Sequence, residues 1–529
     1  MSAIPMTTTT TTAADEKAIH IKEEPEHGIG EVYDHDPESL KSPTSGDADE
    51  ALAYIRNTAK VEIDEATNKR LLKLIDRNIM PIMCLIYCLQ FLDKTSISYA
   101  SVMGLRTDTH LVGQQYSWLG SVFYLGYLAW EYPTNRLMQR LPLAKYTGVN
   151  IIIWGGILAA MAGCKNFAGL VSVRLLLGIF ESSITPAFVL FTSMWYRSSE
   201  QALRVGIWFC NNGTAQIIGS FLAYGISKGV EKHGSAIPGW QIIFLVTGFA
   251  TMAVGVALLW LMPDTPMQAR FLSEEDRVLV IERLRVNQQG VGNKHFKMEQ
   301  FKEALRDPRT WLYFSYSLIS DIPNGGLTNF QSIVIQSLGF TAQESLLYSA
   351  PCGAVEIISI LWICSLAQRT HERSYSAILS VLFPIFGFLL VICLPEHMPW
   401  GKLAGYWLTS FSACAFVIIL GMISTNVAGY TKKTTVNAIN LIGYCVGNLI
   451  GPQTFRAKDA PAYTPAKVTI VVCWGVSCFV LYAIRWLNAR ENKRRDEERE
   501  AAGDAYVSLK DHEFMDLTDF ENRDFRYVL

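Results

Sequence analysis

Twelve apolar stretches, each long enough to cross a bilayer core of about 30 Å, run through the 529 residues and leave few folds open. Hydrocarbon offers no partner to a backbone N–H or C=O, so runs of this length read as helices that satisfy their own backbones. They fall at about 79–100, 116–133, 146–164, 170–196, 205–227, 240–262, 311–335, 346–367, 374–394, 403–424, 435–451 and 466–487. The predicted fold is therefore an all-α integral membrane protein with twelve transmembrane helices. They form two six-helix bundles, 77–262 and 310–488. Hydrophobic residues at 50% and charged residues at 18% fit such a chain better than a soluble enzyme.

The segments outside the bundles differ sharply in composition. Residues 1–76 are rich in Thr, Ser, Glu, Asp and Pro and lack helical periodicity, so we expect a disordered cytosolic tail. A second cytosolic tail is expected over 489–529. Between the bundles, 263–309 mixes acids and bases through SEEDRVLVIERLRVNQQ. There Ser273 with Asp276 predicts a helix start ahead of Val278, Ile281 and Leu284, hence an amphipathic connector helix. Near Met1 no basic region precedes a short apolar run, so the first span is expected to direct insertion. Lys and Arg crowd the short loops on one side (Arg136, Arg140, Lys145; Arg197, Arg204; Arg369, Arg373; Lys432, Lys433), which predicts both termini on the cytosolic face. The sequon Asn212-Gly213-Thr214 falls inside the fifth span, where it is not modifiable.

Several classes are disfavoured. A net charge of −2 argues against a nucleic-acid partner. The 11 Cys form no CxxC pair, and the His residues lie mainly in tails and loops without HxxxH or HExxH spacing, so no metal site or disulfide framework is expected. Neither a Walker A nor a Rossmann glycine pattern occurs. No catalytic set and no cofactor is predicted, and a monomer is compatible with the sequence.

Ionisable side chains at bilayer depth carry the functional signal, because each costs roughly 2.5–3.5 kcal/mol there unless paired or placed beside a polar cavity. Arg174, Gly178 and Glu181 stand at i, i+4 and i+7, on one helix face with about 10.5 Å of rise between the charges. Gly178 is expected to leave open space between them. An anion held by Arg174 would then lie near a carboxylate able to cycle a proton; alternatively the two charges form ion pairs that only fix helix packing. Asp93 and Lys94, being adjacent, point about 100° apart and each need a neighbour from another helix. We assign Asp93 to proton coupling or gating and Lys94 to the anion, with a structural role as the other reading.

Further polar positions follow. Glu131 precedes Pro133 at the end of the second span and reads as part of a gate, with Arg136 and Arg140 in the loop beyond. In the seventh span DIPNGGLTNF places Asp321, Pro323, Asn324, Gly325, Gly326 and Asn329 in an apolar setting, predicting either a broken helix that binds substrate or a hinge. Asn324, Asn329 and Asn426 are taken as substrate contacts. Glu356 is either functional or structurally paired. Gly443, Gly447 and Gly451 recur every four residues, which predicts close helix packing. Lys432 and Lys433 are expected to anchor the inner membrane face. Tyr87, Tyr124, Trp130, Trp208 and Tyr444 either stack on a ring-bearing substrate or serve packing.

The segments FLDKTSISYASVMGL, YSWLGSVFYLGYLAWEYPTNRLMQRLPLAKY, RLLLGIFESSITPAF and NVAGYTKKTTVNAINLIGYCVGNLIGPQTF resemble the fungal allantoate permease-like branch of the anion:cation symporter family, within the major facilitator superfamily. The similarity extends from about residue 77 to 487. It implies proton-coupled movement of a small organic anion, such as an allantoate-, nicotinate- or pantothenate-like carboxylate, by alternating access at the plasma membrane. It also gives Arg174 and Glu181 the family's roles. The wider family usually carries Asp-Arg where this chain has Asp93-Lys94, and lysine lacks the two-pronged fork that grips a carboxylate. Export of an endogenous metabolite, or a nutrient sensor built on the same fold, are the rival readings.

Overall fold

The computed structural model describes residues 63–138, 140–289, 296–502 and 517–529. All belong to the compact unit Gly46–Leu529, and the other unit, Met1–Ser45, lies outside them with the rest of 1–62. Twelve long helical segments follow in the expected order. The first half holds Glu65–Ala100, Gln115–Met138, Leu143–Gly163, Phe167–Trp195, Ser198–Phe209 continuing as Asn211–His233, and Gly239–Leu261. The second holds Pro308–Gln336, Ala342–Thr370, Arg373–Cys393, Pro399–Asn426, Tyr430–Thr454 and Thr464–Ala502. Two boundaries shift. Residues 65–76, assigned to the tail, already form the first helix, started where the Asp64 carboxylate accepts the Thr67 amide; the twelfth helix runs past residue 488.

Seven of the twelve segments are apolar enough by length and composition alone to cross a membrane. The more polar five, the first, second, fifth, seventh and eleventh, supply most of the residues that join the halves, with contributions from the eighth and, through the Phe209–Phe416 stack, the tenth. Ser98 bonds Ser332, Tyr116 donates to the Asn329 carbonyl, Ser117 to Phe455, Ser121 to Leu449, and Ser220 pairs with Ser349. Their polarity is spent between helices, away from lipid.

The seventh helix is continuous through Pro323, so of the two expected readings, a broken helix or a hinge, the break is overturned. Its glycines serve packing. A Cβ on Gly443, Gly447 or Gly451 would strike the carbonyls of Phe314, Leu318 and Ile322, while one on Gly325 would meet the Asn448 backbone. The seventh and eleventh helices thus lie backbone to backbone, as the four-residue glycine repeat predicts. The fourth span does break, at Ser182-Ser183 between Phe167–Glu181 and Ile184–Trp195. Pro186 has no N–H for the Ser182 carbonyl, which accounts for the interruption.

At the face carrying both ends of the described chain, the connector forms two helices. Glu274–Gln289 starts as expected, with the Asp276 amide on Ser273 Oγ, and belongs to the first half. Arg70 pairs with Asp276, and Arg283 with Glu200 and Asn68. Met298–Arg306 belongs to the second half. There Lys432, expected to anchor a membrane surface, is instead fully buried, with Nζ 2.9 Å from Glu303, 3.1 Å from Asp307 and 2.8 Å from Asp519, under the Phe520 ring. Burial opposes its charge, but the Asp519 and Asp307 carboxylates outweigh that and raise its pKa.

Asp519 comes from residues 517–529, the end of the expected C-terminal tail, which pack against this face. Tyr527 donates to Asp519 at 2.6 Å and lies under the Arg309 guanidinium; Arg495 donates to the carbonyls of Asp519, Asn522 and Phe525. Asn426 exchanges two hydrogen bonds with the Val528 backbone.

Removing one partner of a buried ion cluster leaves uncompensated charge and costs about 3–5 kcal/mol. Lys432→Ala should lose that much unfolding free energy in detergent, measured by denaturant titration. A loss below about 1 kcal/mol would contradict the cluster's role.

Candidate functional site

Asp93 and Lys94 are adjacent on the first helix and so point to different neighbours. Asp93 is fully buried, and its Oδ2 accepts the indole N–H of Trp154, in the third span, at 2.7 Å. Its Oδ1 has no hydrogen-bond partner among the described residues. Lys94 turns toward the fourth span, with Nζ 3.2 Å from Glu181 Oε1 and 5.9 Å from the centre of the Phe123 ring. That ion pair falls short of a directed hydrogen bond, so both Glu181 oxygens keep unused acceptor capacity in a fully buried setting.

Arg174 is only 2% exposed, and its Nε and Nη2 find no hydrogen-bond partner among the described residues. Asp93 and Glu181 act on it electrostatically. Between the halves, Arg174, Lys94, Gly120, Phe123, Tyr124, Thr328 and Asn329 line a small pocket of about 10 Å³, room for a water-sized group in this conformation. An unpartnered guanidinium beside such a space is suited to a carboxylate, which takes two parallel N–H bonds from it. Toward the far side of the bundle the pocket is walled by Tyr116, whose hydroxyl bonds the carbonyls of Asn329 and Ile97, and by the Phe330–Phe455 stack at 4.4 Å.

The structure brings together Asp93, Lys94, Arg174, Glu181 and Asn329. It separates others. Asn426 holds Val528 at the terminal face, far in the fold from the pocket lining, so its assignment as a substrate contact is corrected. Asn324 donates to Asp321 and Asn448 and does not line the pocket. Gly178 gives no open space: a Cβ there would collide with the Phe123 carbonyl, because the second span crosses at that point. Glu131 accepts from Asn135 one turn along its own helix, with Arg136 and Arg140 exposed beyond it.

Among the aromatic candidates only Tyr124 lines the pocket. Tyr444 packs on it, Tyr87 packs on Trp208 at 4.6 Å, and Trp130 is exposed on its helix. Trp154, Gly120, Phe123 and Thr328 were not legible as site residues, since nothing in their local sequence says which neighbour they face.

A two-bundle helical membrane protein with a polar pocket between its halves has the architecture of a transporter. The chain matches the Major Facilitator Superfamily over residues 83–452, and it belongs to that family, in its fungal allantoate permease-like branch. It is 45% identical to an uncharacterized transporter of Schizosaccharomyces pombe, over 94% of this chain and 96% of that protein. It is 40% identical to the allantoate permease of Saccharomyces cerevisiae, over 92% and 91%. In fold it is similar to a bacterial homologue of the human lysosomal transporter Spinster, solved inward-facing and unoccupied, with a TM-score of 0.55, 16% identity, and coverage of 77% and 94%.

If Lys94 and Glu181 form a true pair, the single change Lys94→Met should cost about 3–5 kcal/mol, and the double change Lys94→Met with Glu181→Met distinctly less. Denaturant unfolding of the purified variants measures the difference. Additive losses would show that the two side chains are energetically independent.

Proposed function

We propose that this transporter couples protons to the movement of a small organic anion by alternating access. The observation that carries this reading is the buried Arg174 guanidinium with two unpartnered donor nitrogens beside the inter-half pocket. Lys94 is held by Glu181, whereas Arg174 has no directed partner on Nε and Nη2 among the described residues, which makes Arg174 the primary anion contact. Asn329 and Tyr124 complete the lining, and the allantoate permease relative favours a carboxylate of that size class.

Glu181 links the two ions. When it is ionised it neutralises Lys94; when it takes a proton, the ammonium is released toward the pocket, where it adds a second positive charge for the anion. Proton and anion are then favoured together, which is the requirement for symport. Asp93, fixed by Trp154, acts beside this pair as a second acid or as a counter-charge to Arg174. Glu131, Arg136 and Arg140 serve the gate at the terminal face. That face is the cytosolic one, with the protein in the plasma membrane; the halves meet on both sides of the pocket, through Tyr116–Asn329 on one side and the Tyr124–Tyr444 and Phe209–Phe416 ring contacts on the other.

Uptake of labelled allantoate, nicotinate and pantothenate by cells expressing the protein, with and without a protonophore, tests the reading. Accumulation that survives collapse of the proton gradient would refute coupling. Arg174→Ala should abolish uptake while the protein remains folded and in the membrane, and Arg174→Lys should recover part of it. Binding of the transported anion to purified Arg174→Ala at wild-type affinity would overturn the anion assignment.

Glu181→Gln keeps size and hydrogen bonding but cannot cycle a proton. In proteoliposomes it should retain counterflow exchange and lose uphill accumulation under a proton gradient. Concentration of substrate at the wild-type level would move the proton site elsewhere, with Asp93 next to be tested.

A further inference from the structure

A second cavity lies beyond the Tyr116 wall, on the far side of the bundle. Arg106, Gln114, Tyr116, Ser117, Phe330, Phe455 and Tyr463 form most of its lining, and in this conformation it has a volume of only about 10 Å³ with an open mouth. Its one charged lining residue is Arg106. The guanidinium lies 5.6 Å from the centre of the Tyr116 ring and takes no ion pair from the described residues. The nearest acid in sequence, Asp108, is committed elsewhere, accepting the Trp240 indole N–H at 2.8 Å.

The backbone places Arg106 there by an irregular turn. The first helix ends in a widened segment, Ser101–Leu105, in which Gly104 adopts φ 106°, a conformation that glycine takes without a Cβ penalty. The chain then re-enters a short helical turn that starts at Arg106.

The two cavities repeat the same chemistry on either side of a thin wall. Each has an arginine free of ion pairing and an aromatic lining. Tyr116 and Gly120, one turn apart on the second span, line the outer and inner cavities respectively, and Asn329 and Phe330 do so as neighbours on the seventh. A turn of helix rises about 5.4 Å. A bound anion therefore needs to move only about that far to pass from one cavity to the next, once the Tyr116–Asn329 hydrogen bond and the Phe330–Phe455 stack part.

We infer that the mouth of the outer cavity is a capture subsite for the transported organic anion, where Arg106 holds the carboxylate beside the Tyr116, Phe330, Phe455 and Tyr463 rings until the wall parts and Arg174 receives it. The inference rests on the proposed function and adds a second substrate contact on the approach path. Capture by a single half-buried cation at the cavity mouth acts on encounter and is screened by salt. Arg106 is accordingly a residue that sets apparent affinity from the far side, with little effect on the maximal rate.

The test is initial-rate uptake of labelled allantoate by intact cells expressing wild type, Arg106→Ala and Arg106→Lys, with surface amount measured by immunoblot of plasma-membrane fractions. We expect Arg106→Ala to raise KM about five- to tenfold with Vmax per molecule within about twofold, and Arg106→Lys to stay within about twofold of wild type in both. The wild-type KM should also rise with ionic strength more steeply than that of Arg106→Ala. If Arg106→Ala and wild type share the same KM, the subsite is refuted while the Arg174 site stands. If Arg106→Lys loses Vmax as fully as Arg106→Ala, the guanidinium is a structural prop for Tyr116 and the capture role is refuted. If wild type takes up no allantoate, nicotinate or pantothenate, the proposed function fails and the subsite falls with it, a result separable from the other two.

Discussion

A bare charge has nothing to bind in hydrocarbon, and this constraint decides where nearly every ionisable side chain of the bundle sits. Asp93 is met by an indole N–H, Glu181 by an ammonium, and each comes from a different helix. These contacts tie the first span to the third and fourth and so fix the interior of the first bundle. Arg174 stands out against that pattern. Its donors are buried without hydrogen-bond partners beside a cavity, which is costly in a resting structure and useful in one that awaits an anion.

The same constraint explains how polarity is distributed among the helices. Spans that face lipid can be uniformly apolar, whereas the first, second, fifth, seventh and eleventh carry Ser, Thr, Asn and Gln toward the opposite half. Hydroxyl and amide contacts of this kind are individually modest in a membrane, on the order of 1 kcal/mol. Several can be broken and remade without unfolding either bundle, which suits the joint between two halves that exchange conformations. At the terminal face the bonding is stronger: buried guanidinium and ammonium groups staple each connector helix to its own half.

The twelve spans and their grouping were legible because bilayer thickness imposes a length on apolar runs. So was the close packing of Gly443, Gly447 and Gly451, whose period matches a helix face. The start of the connector helix at Ser273 was legible for the same local reason. What failed were readings that needed to know the neighbour. Gly178 looked like space and is filled by the second span; of the break or hinge read into Pro323, Gly325 and Gly326, the break is absent and the helix runs on, packed. Lys432 looked like a surface anchor and is a buried hub, and Asn426 looked like a ligand contact and holds Val528. Spacing along a helix gives the direction of a side chain but not the identity of what another helix brings to it. The break at Ser182-Ser183 was there to be read in Pro186.

The glycine seam between the seventh and eleventh helices has a mechanical consequence. Where side chains form an interface, small displacements can be absorbed by switching rotamers. Gly443, Gly447 and Gly451 have none to switch, and the surfaces in contact are main chain against main chain. Sliding one helix past the other would drive atoms into carbonyl groups at three successive turns. The pair is accordingly stiff and behaves as a single plate. Deformation within the second half is thereby directed to the helices around it, whose contacts are made by deformable side chains.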